Sequence, residues 1–303
     1  MIGLSTFLCI SILSLALYAN GNNDCPPDED IRPCTCGSTD LLSETSVKVD
    51  CSFSTGEKMR SAFNEASWPS SQLAHFYLRD NEEVKELPDG VFGNISFKSI
   101  KLWKTAVETI HPSVILSSKD RLSYLTIGYS HLETFPFDLL QRLSHLEGLN
   151  LVMNLLTSLP ALQSDSLREL KLLGNRISKV NEDGWATPNL RLLELDYNPI
   201  SVFPSAVIKG LERLEEFTCV FCNLGPTLSS GLLEFHSSSL MKVLLGFNEI
   251  SAVDAGSITG VMPDTTIILN FNDVVTLKEE TFRPILEVLS RGNGFLNVTG
   301  YNL

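Results

Sequence analysis

The chain has 303 residues, 43% of them hydrophobic, and a formal net charge of −13. That is enough apolar material for a large core. The acidic balance argues against a role built on phosphate recognition, which needs clustered Lys and Arg, so nucleic acid is not an expected partner.

The first residues, "MIGLSTFLCISILSLALYANGNND", hold an apolar run at 6–18 that is too short to cross a bilayer. Polar residues follow at once, and Ala19 and Gly21 have the small-residue spacing of a leader cleaved after Gly21. Residues 1–21 are therefore expected to be a signal peptide, and the mature chain to be secreted. Cys9 leaves with it, and the even set that remains points to disulfides in an extracellular setting. Cys25, Cys34, Cys36 and Cys51 fall in a cysteine-rich segment, 22–68, ahead of the strand-like "VKVDC". Four cysteines allow three pairings, and spacing does not choose among them. No later apolar stretch is long enough to span a membrane.

From about residue 69 onward one string recurs: "LEGLNLVMNLL", "LRELKLLGNRI", "LRLLELDYNPI", "LMKVLLGFNEI". Each fits LxxLxLxxNxL. The Asn-type position falls at Asn81, Thr105, Ser130, Asn154, Asn175, Asn198, Cys222, Asn248, Asn272 and Tyr301, at gaps of 21 to 29 residues. Alternation along a strand sends Leu170 and Leu172 to one side and Lys171 to the other. The Asn amide both donates and accepts, so stacked Asn side chains can pair backbone groups of the turn that would otherwise be buried alone.

This pattern resembles the leucine-rich-repeat proteins of the extracellular type. The intervening "ELPDGVFGN", "TFPFDLLQRLSHL" and "VFPSAVIKGLERL" look like the variable halves of such repeats. The resemblance implies an α/β leucine-rich-repeat solenoid of about ten repeats over 69–303. That fold is a curved horseshoe with a parallel β-sheet on the concave face and short helices, 3-10 turns and loops on the convex face. It implies that 22–68 is an N-terminal cap bridged Cys25–Cys36 and Cys34–Cys51, here with "PPDEDIRP" lengthening the first loop. The family usually closes on a second cysteine cap. None is present, which reads as a fragment or as an open edge that meets a partner.

Cys219-Val220-Phe221-Cys222 could suggest thiol chemistry or half a metal site. In the repeat frame, Cys219 takes an inward Leu position and Cys222 the Asn position. Both are expected to be buried structural thiols, with a local bridge as the main competitor. A redox pair would place its first Cys at an exposed helix N-terminus, and this one ends a strand.

The outward mid-strand column is Tyr77, Lys101, Thr126, Asn150, Lys171, Glu194, Thr218, Leu244, Ile268 and Asn297. The column before the Asn position includes Tyr129, Met153, Tyr197, Phe221, Phe247 and Phe271. Tyr197, Phe221, Leu244, Phe247, Ile268 and Phe271 are the candidate partner-binding residues, an apolar strip if exposed and rim packing if folded over. Lys98, Lys101, Trp103 and Lys104 make a basic spot, and Glu194, Asp196, Glu215 and Glu216 an acidic stretch; both read first as solvated faces. Asn94 and Asn297 open glycosylation sequons. The five His are scattered over different repeats and no phosphate loop occurs, so no catalytic, cofactor or metal residues are assigned.

The stretches "NEDGWATPNLRLLEL", "GPTLSSGLLEFHSSSL" and "EETFRPILEVLSRGNG" resemble an arthropod family named after the non-catalytic, leucine-rich-repeat subunit of the Oplophorus luciferase. That resemblance implies a secreted binding or scaffold subunit that supports a separate catalytic protein and is not itself an enzyme. The alternative expectation is the ectodomain of a leucine-rich-repeat cell-surface receptor or adhesion protein.

Overall fold

The computed structural model describes residues 24–38 and 47–300. The expected signal peptide, residues 1–21, and Tyr301 lie outside these residues. Twelve strands form one sheet. In chain order they are β1 (Thr35–Ser38), β2 (Val47–Asp50), β3 (Gln72–Asn81), β4 (Ser96–Thr105), β5 (Tyr124–Gly128), β6 (Gly148–Asn150), β7 (Glu169–Lys171), β8 (Leu192–Glu194), β9 (Glu216–Thr218), β10 (Lys242–Leu244), β11 (Thr266–Ile268) and β12 (Phe295–Asn297). Strands β1 and β2 pair antiparallel; every later pairing is parallel and joins neighbours in sequence. A parallel neighbour requires a return crossing, and here each crossing is one loop of the coil.

The cap holds both bridges that the resemblance implied, Cys25–Cys36 and Cys34–Cys51. The long first loop winds into a short helix, α1 (Asp28–Ile31), with Asp28, Glu29 and Asp30 in its first turn and Ile31 buried. Strand β2, inside the cap, is already a parallel rung, since Val49 pairs with Phe76. Helix α2 (Gly56–Asn64) follows, capped by the Thr55 side chain, which accepts from Lys58 N. Its buried Met59, Ala62 and Phe63 lie at helical spacing. Phe63 meets Trp68, Phe76, Phe92 and Phe97 at ring separations of 5.2–5.9 Å, which locks the cap onto the first repeats.

Helices α3 (Pro112–Leu116), α4 (Ser205–Lys209) and α5 (Glu279–Leu289), a 3-10 turn at Phe137–Arg142 and two-residue strand pairs make the return crossings. Leu170, Leu172, Leu193 and Leu195 are fully buried, while the Lys171 side chain is 34% exposed between two of them. The inward and outward columns follow the repeat frame at these rungs; Thr218, expected on the outward column, is instead buried, 4% exposed, beside Asp196.

The Asn positions form a ladder. Asn198 donates from Nδ2 to Leu172 O (2.9 Å) and Leu195 O (2.8 Å), and its Oδ1 accepts from Ile177 N (2.9 Å). Asn154, Asn175, Asn248 and Asn272 repeat the arrangement. Thr105 and Ser130 close their rungs by a mutual hydroxyl bond of 2.7 Å.

One expectation is corrected. Cys219 and Cys222 are fully buried in the two positions the frame assigned, but they are joined in a disulfide. Between them Phe221 takes the left-handed conformation, φ 55°, which swings the next residue inward. The Cα atoms come to 5.5 Å, within bridging range. The frame located each thiol but not the turn that faces them together. The bridge also interrupts the ladder: with no amide oxygen on that rung, Ile200 N donates back to Asn198 O (2.8 Å).

Candidate functional site

Nine consecutive rungs, β3 to β11, leave their strands through the same turn. Asp80, Lys104, Tyr129, Met153, Tyr197, Phe221, Phe247 and Phe271 all have φ between 48° and 56°, and Gly174 has 68°. A residue with a Cβ spends about 1–2 kcal/mol in that conformation, so glycine would be the relaxed choice. The turn buries the following ladder residue and throws its own side chain onto the rim.

On that rim Tyr197, Phe221, Phe247 and Phe271 stack face to face. Successive centroids are 4.7, 4.5 and 4.5 Å apart and the planes lie within 21°. Strands repeat every ~4.8 Å, close to the spacing of stacked rings, so one aromatic per rung makes a continuous column. Tyr197, Phe221 and Phe271 remain 54%, 39% and 38% exposed. The rings thus pack against one another and still present their edges to solvent. Leu244 and Ile268 pair across β10 and β11, half-exposed, three positions before Phe247 and Phe271. The coil brings all six predicted strip residues onto consecutive rungs.

The acidic stretch is more than a solvated face. Glu215 pairs with Arg191 (3.0 Å) and Glu216 with Lys242 (3.2 Å), each one rung away. Burial raises the pKa of Glu194, and the charge of Asp196 raises it further. Burial likewise raises Asp196, although its Oδ1 accepts from Val220 N at 2.8 Å.

At the other end of the face, Lys101 Nζ lies 5.3 Å over the Trp103 ring, and Arg79 lies 5.2 Å over Tyr77. Sequence reasoning missed the glycines beside this spot. A Cβ on Gly128 would fall 2.4 Å from the Trp103 ring, and one on Gly148 would fall 2.8 Å from the Tyr124 ring. Each glycine sits on the strand following its aromatic, a relation visible only when repeats are aligned side by side.

One trio of catalytic residue types occurs on the convex side. Ser113 Oγ and Asp89 Oδ1 approach His111 at 2.8 and 3.3 Å. Both approach the same ring atom, Nδ1, which also accepts from Ser113 N at the start of α3. A nucleophile relay needs its nucleophile and its orienting carboxylate on opposite nitrogens of the imidazole base, so the trio is a helix cap. Among the described residues no group of three or more His, Cys, Asp or Glu is placed to hold a metal ion, and no helix is long and apolar enough to cross a membrane. Asn94 is exposed in the loop before β4. Asn297 is half-buried on β12, and its Oδ1 accepts from Thr299 N and Oγ1.

The large, mostly parallel sheet, one loop per rung and the buried Asn ladder define a leucine-rich-repeat horseshoe. Homology agrees with that class. The chain is 28% identical over 271 residues to the Oplophorus-luciferin 2-monooxygenase non-catalytic subunit of Oplophorus gracilirostris, covering 88% of this chain and 73% of that protein. It is 30% identical over 122 residues to decorin of Oryctolagus cuniculus, covering 39% of this chain and 32% of decorin. A crystal structure of a TLR13–ssRNA13 complex superimposes with a TM-score of 0.52 at 18% identity, over 76% of this chain and 28% of that one, a likeness of fold alone. No family model matches the chain.

Proposed function

We propose that the chain is a secreted, non-catalytic binding subunit that holds another extracellular protein, with the rim strip Tyr197, Phe221, Leu244, Phe247, Ile268 and Phe271 as its principal contact. The carrying observation is the stacked column. Four aromatic residues in a row occupy a backbone conformation that glycine takes more readily, and three of them keep more than a third of their surface in water. Aromatic residues arrayed on a rigid scaffold are what binding hot spots are made of. The name of the luciferase relative, a non-catalytic subunit, supports contact rather than chemistry. Secretion is supported by the leader-like N-terminus and by three disulfides in the described residues. Asn94 and Asn297 are the proposed glycan sites, and a glycan on Asn297 would restrict the partner to earlier rungs.

The test is capture of partner from the native secretion with the tagged mature chain and with a Phe247→Asp/Phe271→Asp variant. Loss of the co-purifying protein, with circular dichroism unchanged, is expected. Equal capture by a folded variant rejects this surface.

A further inference from the structure

A second surface lies at the opposite end of the concave face, and its chemistry differs from that of the rim strip. Five cations, Lys48, Arg79, Lys98, Lys101 and Lys104, project from β2, β3 and β4. Against them stand Asp50, which pairs with Arg79, and Asp80, 4.0 Å from Lys104. A cationic island in a chain of net charge −13 is a local excess that composition does not supply. Burial lowers the pKa of His75, and the charges of Lys98 and Lys48 lower it further. On β4, Lys98, Lys101 and Lys104 run from one lip of the sheet to the other at steps of about 10 Å.

Two aromatic rings are laid beside these charges. Trp103 packs against Gly128, its partner residue on β5, and Tyr124 packs against Gly148, its partner on β6. Any side chain at either glycine would lift the ring. Each glycine is met by one edge of its ring, Cε3–Cζ3 of Trp103 and Cδ1–Cε1 of Tyr124, and Tyr124 stays 47% exposed. The rim aromatics differ, since they cover each other's faces.

Flat ring faces take the apolar C–H face of a sugar, and ammonium groups take its carboxylate or sulfate. From this geometry we infer that β2–β5 form a binding platform for an anionic oligosaccharide, with Trp103 and Tyr124 stacking on sugar rings and Lys48, Lys98 and Lys101 meeting the acidic groups. The charges also set a direction. Tyr124 Oη donates to Glu147 (3.3 Å), and Glu169 and Glu216 stand on later rungs. Those carboxylates are paired with Arg168, Lys171 and Lys242, so the unpaired positive charge lies on the N-terminal rungs; the acidic groups of the ligand lie there and a neutral portion lies over Tyr124. An acidic peptide would meet the same lysines but has no sugar face for the rings.

The test is calorimetric titration of the mature protein with a heparin-derived hexasaccharide, with neutral maltohexaose and hexaglutamate as comparison probes. Saturable binding of the sulfated sugar is expected, with neither comparison probe matching it. Lys98→Gln/Lys101→Gln, at solvent-facing positions that leave the fold intact, should weaken binding about tenfold and flatten its salt dependence. Trp103→Ala should weaken it about tenfold with the salt dependence kept. No binding by the wild-type protein overturns the inference. So does binding of hexaglutamate at equal strength, which would mark the island as a site for acidic protein segments, or binding of maltohexaose at equal strength, which would leave the lysines without a role.

Discussion

The two ends of the concave face use aromatic residues in opposite ways. At the C-terminal rim, Tyr197, Phe221, Phe247 and Phe271 stand on consecutive rungs and cover one another at 4.5–4.7 Å. Toward the N-terminus, Trp103 and Tyr124 each set a ring edge against a glycine on the next rung. The difference lies less in the aromatic than in its lateral neighbour, one full turn of the coil away. An aromatic neighbour yields a stacked column, and a glycine neighbour makes room for a single ring.

The largest expected effect comes from breaking the ladder that both regions share. Asn248 pairs the backbone of Cys219, Cys222, Leu224 and Leu245. Asn248→Ala leaves several buried polar groups unpaired and should cost about 3 kcal/mol in chemical unfolding. A cost below about 1 kcal/mol would show that the ladder is not what holds the rungs.

Gly128→Val should cost about 2 kcal/mol, because the new side chain and the Trp103 ring compete for one space. Trp103 fluorescence should shift toward that of a solvated indole. The rim stack and its exposure should be untouched.

A smaller effect distinguishes stacking from backbone strain. Phe247→Gly and Phe247→Ala both remove two ring contacts, but only Ala keeps a Cβ at φ 56°. Glycine should therefore be the milder change by about 1 kcal/mol, the reverse of the usual order in regular structure. Alanine proving milder would mean that the left-handed turn carries no strain.

The smallest effect is on pH. Glu194 and Asp196 have raised pKa values in the fold, so the folded state binds protons more readily than the unfolded chain. Their ionisation removes stability as pH rises from the unfolded pKa through the raised folded one. Asp50 has the opposite sign. Burial opposes its charge, but hydrogen bonds from Ser52 and Arg79 hold its pKa low, and its contribution is lost as pH falls through that lowered value. A Glu194→Gln/Asp196→Asn variant should melt higher than wild type at neutral pH, and the gap should close on acidification. A gap constant with pH would contradict the raised values.

Much of this was legible in the sequence because it repeats along the chain. The interval between Asn81, Asn154 and Asn248 gave the rungs, and alternation around Lys171 and Glu194 gave the sides. Where a feature depends on adjacent rungs or on one backbone angle, the linear pattern is silent. Gly128 carries no signal until it is set beside Trp103, some 25 residues earlier. The Cys219–Cys222 bridge follows from the left-handed Phe221 between them, and nothing in that residue type announces the conformation. Alkylation without reductant, read by intact mass, should accordingly label neither thiol.

The central claim is that the rim strip is the contact surface. A photo-crosslinking phenylalanine placed at Phe221, and separately at the exposed Val202 outside the strip, tests it directly in the native secretion. One discrete adduct from position 221 and none from 202 is the predicted result. Adducts of equal yield from both positions, or from 202 alone, would contradict the account.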